Sequence, residues 1–379
     1  MVRLLVLQTL PRPTAYSPSN ALLTLARGLD RSRLIMTVAT PRRGLLTEAL
    51  EAAGVATLRV PGLSTYRRHD ALWRLPSVAF RLTQHLRNLQ ADLLLSNHAE
   101  LGPFAHAAGR LTGTPWICML RQADRPRRYY EKYRVGRADA VAAVSSAALE
   151  GYRACATQDR ALERLHRVIP TGIALPSEGP EGRAEIPPTI GTVGLRSVKR
   201  PELFLRIVGR VHRTMPGVRA LAVGGAEAPV LAELEALGRE LGIRETTTFP
   251  GQQKEMRPWY DAMSVYAHTS RSEALPKAVL EAMGHGLPVV AFRVGGNREA
   301  VAEGVSGFLI EEGNEEEFAE ALLRLLSNPD LARRMGRAGR TRVAEQFSEK
   351  RMTEEMMALF EETVGARREM ARTGPRGKR

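Results

Sequence analysis

The chain has 379 residues, more than one ordinary core accommodates and enough for two domains. With 44% hydrophobic and 25% charged residues it reads as globular rather than disordered; no apolar run nears the roughly 18 residues that cross a bilayer, and two cysteines make neither a disulfide framework nor a metal cluster. The net charge of +14 is uneven, with +13 on residues 1–175, −4 on 176–365 and +5 on 366–379, which points to an anionic partner for the first half: membrane lipid, a phosphorylated saccharide or nucleic acid.

The apolar start, Val2 to Leu7, is too short for a signal peptide and reads as a first buried strand. Apolar runs at Leu4–Leu7, Leu34–Ala39, Thr57–Val60, Asp92–Ser96, Trp116–Leu120 and Ala140–Val144 predict strands. Helical patterns lie between them at Ser19–Leu29, Leu45–Ala53, Ser77–Leu89 and Phe104–Thr112, and a segment near Val168–Ile169 closes this half. Short continuous apolar strands separated by helices indicate a parallel sheet covered on both faces. From Pro176 to Pro188 the chain is full of breakers and has no periodicity, as an interdomain linker would. Alternation restarts with strands at Thr189–Val193, Val218–Val223, Thr246–Phe249, Val265–Ala267, Pro288–Phe292 and Phe308–Ile310. Helices at Pro201–Arg213, Ala226–Leu241, Met256–Ala262, Pro276–His285 and Glu315–Leu326 lie between these, and two more follow at Leu331–Gln346 and Glu349–Thr363.

The expected architecture is α/β: two doubly wound, Rossmann-like domains facing each other across a cleft that holds the ligand. Residues 1–175 would bind the acceptor of any reaction, 176–188 would link, and 189–347 would form the second domain. Residues 348–365 would be a terminal helix that can return to the first domain, and 366–379 a basic disordered tail. Cysteine use suits a reducing cytoplasm.

The segment from His268 to Ala291, followed by Gly295-Gly296-Asn297-Arg298-Glu299, carries the most chemistry. It reads as strand, polar loop, helix and strand, with the loop at the carboxyl edge of a sheet, where open α/β sheets bind ligands. Glu273 sits in the loop and Glu281 on the helix. Helix-start N–H groups suit a diphosphate, and carboxylates beside it can accept hydrogen bonds from sugar or ribose hydroxyls. Two glutamates alone could equally be a helix-dipole charge and a solvated side chain. His268 reads as a strand-end packing residue.

A second constellation runs from Gly191 through Gly194, Arg196 and Lys199 to Pro201. A strand ends in a glycine turn, then two cations precede a helix, an arrangement that forms an anion site and can stabilise charge developing on a leaving diphosphate. Lysine is scarce, six against 49 arginines, which gives Lys199 added weight.

With Ser270, Glu273 and Glu281-Ala282-Met283 in their places, then Gly-Leu-Pro-Val-Val and Gly-Gly-x-x-Glu, the sequence resembles the retaining GT-B glycosyltransferases of family 4 (glycosyl transferases group 1), whose hallmark is Glu-x7-Glu. The likeness is specific over about 246–312 and weaker over Ile190–Phe360. In the first half it rests on Ala138–Ser145 and Val168–Ile173. The resemblance implies that Glu273 contacts the transferred sugar, that Glu281 holds the nucleotide ribose, and that the amides around Ala274 and Leu275 touch sugar and β-phosphate. Ala274 stands where the family usually has glycine. In the family's Gly-Arg-Leu-x-x-x-Lys motif Lys199 matches, Gly194 replaces the arginine, and Arg196 can substitute for it. Phe249-Pro250 falls where the nucleobase packs, with a core role for Phe249 an equal reading. The loop Gln8–Asn20 lacks the family's glycine pair and offers Tyr16, Ser17 and Ser19. His98 falls where the family has a histidine beside the reacting sugar, although a lone histidine is commonly structural.

No Asp-x-Asp and no metal-ligand spacing occurs, so catalysis without a metal or cofactor is expected, with a nucleotide-diphosphate sugar as co-substrate. Arg67, Arg68, Arg127, Arg128 and Tyr129 form the basic surface for a glycan or lipid-linked acceptor, of cell-envelope polysaccharide or lipopolysaccharide type, or for an anionic membrane. Nucleic acid is not the expected partner. Two alternatives remain at this point: a nucleotide-sugar epimerase or hydrolase on the same fold, and a non-enzymatic polyanion binder.

Overall fold

The computed structural model describes residues 1–9, 18–64, 71–155, 165–177 and 187–373. The chain forms two compact units, one of Met1–Gly172 with the segment from Glu349 onward, the other of Ile173–Ser348.

The first unit is built on seven parallel strands: β1 (Val2–Leu7), β2 (Leu34–Thr40), β3 (Ala56–Arg59), β4 (Leu93–Ser96), β5 (Trp116–Leu120), β6 (Ala140–Ala143) and β7 (Leu165–Val168). Their order in the sheet is β3-β2-β1-β4-β5-β6-β7. The connecting helices are α1 (Pro18–Gly28), α2 (Leu45–Ala52), α3 (Ala71–Asn88), α4 (Gly102–Thr112), α5 (Arg127–Lys132) and α6 (Ser146–Cys155). Strands β4, β5 and β6 are buried at every position, which is why they read as unbroken apolar runs.

Helix α3 starts six residues before its expected Ser77. Pro76 lies inside it and forfeits one backbone bond, but Val78, Ala79, Leu82 and Leu86 bury an unbroken apolar stripe that outweighs the loss. Helix α6 was not expected, although it has a cap and a stripe: Ser145 Oγ accepts from Ala148 N at 3.1 Å, and Ala148, Leu149 and Tyr152 are buried.

The second unit has β8 (Thr189–Val193), β9 (Arg219–Val223), β10 (Thr247–Thr248), β11 (Val265–His268), β12 (Val289–Phe292) and β13 (Gly307–Ile310), in the parallel order β10-β9-β8-β11-β12-β13. Helices α7 (Pro201–Thr214), α8 (Ala228–Glu240), α9 (Arg257–Asp261), α10 (Lys277–Gly284), α11 (Asn297–Ala300), α12 (Glu315–Leu326) and α13 (Pro329–Gln346) cover it. In each sheet the order reverses at one place, between β1 and β4 and between β8 and β11. Such a switch point opens a crevice outside the carboxyl ends of the strands.

The last helix, α14 (Glu349–Thr373), belongs to the first unit. Leu359, Phe360 and Val364 are buried on it, and Glu361 takes two hydrogen bonds from Arg33 at 3.1 and 2.7 Å. It passes the expected end at Thr363, so the tail expected to be disordered from 366 is helical to Thr373. Arg368, held 2.8 Å from Asp92, helps to fix this extension, and 374–379 lie outside the described residues.

Candidate active site

The switch point of the second unit is built by two segments tied together by hydrogen bonds to backbone carbonyls. Gly194 ends β8 at φ +96, in a left-handed region that glycine enters without strain. A Cβ there would lie 3.4 Å from Lys199 Cγ, so the lysine stem runs close over the glycine. The chain turns through Ser197–Lys199 and enters α7 at Pro201. After β11 comes the loop Thr269–Pro276. Thr269 Oγ1 donates to Lys199 O at 2.8 Å, Arg200 Nε donates to Thr269 O at 2.8 Å, and Arg271 N donates to Val198 O at 3.0 Å. Behind the loop, Gly296 N donates to Glu273 O at 2.9 Å.

Glu273 is where these segments converge. Its Oε1 accepts from Lys199 Nζ, from Ser270 Oγ at 2.8 Å and from His268 Nε2 at 3.2 Å. The Lys199 and Glu273 side chains are 15% and 14% exposed, so solvent screens their ion pair little. Burial by itself would push the carboxyl up, but the His268 hydrogen bond and the Lys199 charge outweigh it and hold the pKa at about 2. Burial first, and repulsion by Lys199 second, keep His268 below the usual histidine range. A carboxylate only accepts, so the hydrogen-bond network assigns the proton of neutral His268 to Nε2. Glu273 is therefore a fixed negative charge at neutral pH, not a proton donor. His268 does stack against Tyr266, as a packing residue would, but it also orients the carboxylate.

Glu281 sits one element away on α10. Tyr260 Oη donates to its Oε2 at 2.9 Å and Lys277 Nζ lies 3.5 Å from its Oε1. Burial raises its pKa despite these partners and the more distant Lys199 charge. Ala274 takes an ordinary negative φ, so its methyl strains no backbone. The N–H groups of Ala274 and Leu275 donate to no acceptor among the described residues. Phe249 packs against the core, while Gly251 beyond Pro250 is bonded through its carbonyl to Gly224 N at 3.0 Å.

Lys199, Ser270 and Glu273 are thus brought together, with Glu281 close enough to feel Lys199. Arg196 is exposed and forms no ion pair among the described residues. Arg200, which the sequence did not single out, is instead the well-held cation: at φ +51 it bonds Thr269 O, lies 3.2 Å from Glu312 and covers the Phe292 ring at 5.1 Å. Tyr260 was likewise missed.

In the first unit His98 follows β4 and its carbonyl accepts from Leu101 N at 3.1 Å. Arg127 and Arg128 are exposed, Arg127 bonded to Glu131 at 2.7 Å. Tyr129 is turned inward: its ring meets Tyr133 edge-on at 4.7 Å, and burial and then the nearby Glu100 charge raise its pKa. A further basic cavity of about 390 Å³ is lined by His106, Arg110, Lys132, Arg134 and Arg137. Ser19 lies inside α1 and is buried, because that helix starts at Pro18. Arg67, Arg68, Tyr16 and Ser17 lie outside the described residues.

The family model for glycosyl transferases group 1 matches residues 187–328, and the model for glycosyltransferase family 4 matches residues 19–175. The D-inositol 3-phosphate glycosyltransferase of Segniliparus rotundus is 34% identical over 186 residues, 45% of this chain and 41% of that protein. Its counterpart from Nocardia farcinica is 31% identical over 255 residues, 62% of this chain and 56% of that protein. The chain therefore matches about half, or less, of these relatives' length. The crystal structure of Anabaena Alr3699/HepE in complex with UDP superposes with a TM-score of 0.80 at 21% identity, covering 96% of this chain and 100% of that one. A structure of the same protein with UDP-glucose has a TM-score of 0.77 at 20% identity, covering 97% and 100%. These likenesses establish the GT-B fold, two parallel-sheet α/β domains. Matched in both halves, the chain belongs to the family 4 glycosyltransferases, glycosyl transferases group 1.

Proposed function

We propose that the chain moves a sugar from a nucleotide-diphosphate sugar to a hydroxyl of a glycan or lipid-linked acceptor, with retention and without a metal ion. The observation that carries this reading is the buried Lys199–Glu273 pair at the switch point of the second unit, flanked by the amides of Ala274 and Leu275. The UDP and UDP-glucose held by the Anabaena neighbour support a nucleotide sugar as donor.

In this reading the amides of the loop and Lys199 stabilise the charge that develops on the diphosphate as the C1–O bond breaks. Arg196, exposed on the same turn, is the second proposed cation. Glu273, ionised far below neutral pH, accepts hydrogen bonds from the sugar hydroxyls and faces the positive charge on the anomeric centre. The acceptor oxygen bonds to C1 on the face the phosphate leaves, and its proton passes to the departing phosphate. Glu281 holds the ribose, Tyr260 keeping its carboxylate in place. His98 would lie by the transferred sugar.

A thermal-shift panel of nucleotide diphosphates and their sugars tests the donor site. Ligand at 100 times its Kd should add about 2.7 kcal/mol of stability, and Glu281→Ala should abolish most of that gain for ligands that carry ribose. If no nucleotide diphosphate shifts the wild-type melting point, the transferase reading fails. Donor incubated alone that yields an epimer or abundant free sugar points to the epimerase or hydrolase reading instead.

The acceptor is proposed to be of cell-envelope polysaccharide or lipopolysaccharide type, met at a membrane surface. No helix among the described residues is long and apolar enough to cross a bilayer, so the contact in this reading is peripheral, through exposed Arg127 and Arg128. Anionic vesicles should retain the protein at low salt and release it after charge reversal at both arginines. Equal retention of the variant counts against this surface.

A further inference from the structure

The first unit has its own switch point, between β1 and β4, and a preformed polar arm stands there. Gln8 follows β1 and Asn97 follows β4. Asn97 Nδ2 donates to Gln8 Oε1 at 2.7 Å, and Gln8 Nε2 donates to Ser19 Oγ on α1 at 2.9 Å. Gln8, Ser19 and Asn97 are 0%, 0% and 2% exposed. With both amides fixed in this sense, Asn97 presents its two acceptor oxygens to Arg121, the first residue after β5. Arg121 Nε donates to Asn97 O at 3.0 Å and its Nη2 donates to Asn97 Oδ1 at 2.7 Å.

The guanidinium is thereby held at two of its nitrogens, and its remaining N–H groups donate to no acceptor among the described residues. Burial lowers its pKa to about 10, and it forms no ion pair among the described residues. Buried Glu100, at the start of the segment after β4, accepts from Gln122 Nε2 at 3.2 Å. A desolvated cation with neutral partners alone costs stability unless it meets an anion. The first half carries a net +13, which raises the local concentration of anions.

We propose that Arg121 is the recognition cation for a phosphate group carried by the acceptor, with Gln8, Ser19 and Asn97 as its positioning residues. This deepens the transferase reading and rests on it: the acceptor is a phosphorylated compound, and the guanidinium grips the phosphate through its unengaged N–H groups in the forked geometry that suits oxyanions. Asn97 fixes the angle of approach.

The experiment uses the full chain saturated with UDP, so that the diphosphate site of the second unit is occupied, and titrates inorganic phosphate, glucose 6-phosphate and glucose by calorimetry. Phosphate and glucose 6-phosphate should bind and glucose should not. Arg121→Gln should weaken both phosphates at least about tenfold, and Arg121→Lys should restore part of the affinity. Asn97→Asp, close to isosteric, should also abolish phosphate binding, because the new carboxylate pairs with Arg121 and takes the anion's place. UDP affinity should be the same in all four proteins. Phosphate affinity unchanged in Arg121→Gln and Asn97→Asp, or no phosphate binding by a wild type that binds UDP, overturns this proposal alone. A wild type that fails to bind UDP overturns the transferase reading beneath it.

Discussion

Lys199→Ala should lower turnover of the nucleotide-sugar donor by about 10²–10³-fold, the usual cost of removing one preorganised group that stabilises developing charge. The same substitution should also destabilise the second unit. Removing one partner of a buried ion pair strands the other, at a cost of about 3–5 kcal/mol, and at 15% and 14% exposure little of that is relieved by solvent. Its pH signature has a definite sign. Glu273 ionises at about 2 in the folded chain against an ordinary 4.5, so the stability it contributes is fully present above 4.5 and is lost as pH falls toward 2. Without the Lys199 charge and hydrogen bond the carboxyl moves up, and the acid limb of the stability curve moves to higher pH. The double variant Lys199→Ala, Glu273→Gln removes the stranded charge as well. Its melting point should recover much of the loss while turnover stays as low as in Lys199→Ala or lower. Melting curves between pH 2 and 8 and initial rates at saturating donor check both halves. Turnover within about threefold of wild type in a folded Lys199→Ala protein would remove the lysine from the mechanism.

How much of this was legible in the sequence depended on the range of the contacts involved. The strands could be read because both faces of each sheet are covered, leaving runs such as Trp116–Leu120 apolar at every position. Glu273 and Lys199 could be read because each follows a strand end by a short, patterned loop. The partners that hold them could not. Arg200 reaches Thr269 across 69 residues, Tyr260 reaches Glu281 from a separate helix, and His268 looks like the last residue of a buried strand until its ring nitrogen is seen beside the carboxylate. Tyr129 misled in the other direction: set among arginines it suggests an interface, but its ring is packed inward against Tyr130 and Tyr133. Arg121 carried no motif at all. Its interest comes from strand order, which brings the ends of β1 and β4 together, and strand order is not written in local periodicity.

Gly296→Ala should have the other large effect, and it isolates space from conformation. Gly296 has φ −69, which alanine adopts freely, so no backbone strain is introduced. The added Cβ, however, would lie 2.1 Å from Ala274 O, 2.9 Å from Ala274 C and 3.2 Å from Leu275 Cα. These are backbone atoms without a rotamer to escape into, so the loop itself must back away by about 1 Å to reach ordinary contact, breaking the Gly296 N–Glu273 O bond as it goes. Overpacking of this kind costs about 1–3 kcal/mol. The loop carries Glu273 and the two amides assigned to the donor, and a displacement of about 1 Å in such a group can cost about 10²-fold in rate. Turnover should therefore fall by about 10- to 100-fold, well beyond what the modest drop in melting point explains. Gly217→Ala is the matched control, since a Cβ there meets nothing within 4 Å. Its melting point should change by no more than about 0.5 kcal/mol equivalent, with turnover intact. If Gly296→Ala melted lower yet turned over donor at the Gly217→Ala rate, the position of the Glu273 loop would be irrelevant to catalysis, and the packing of Gly295 and Gly296 behind it would be a matter of stability alone.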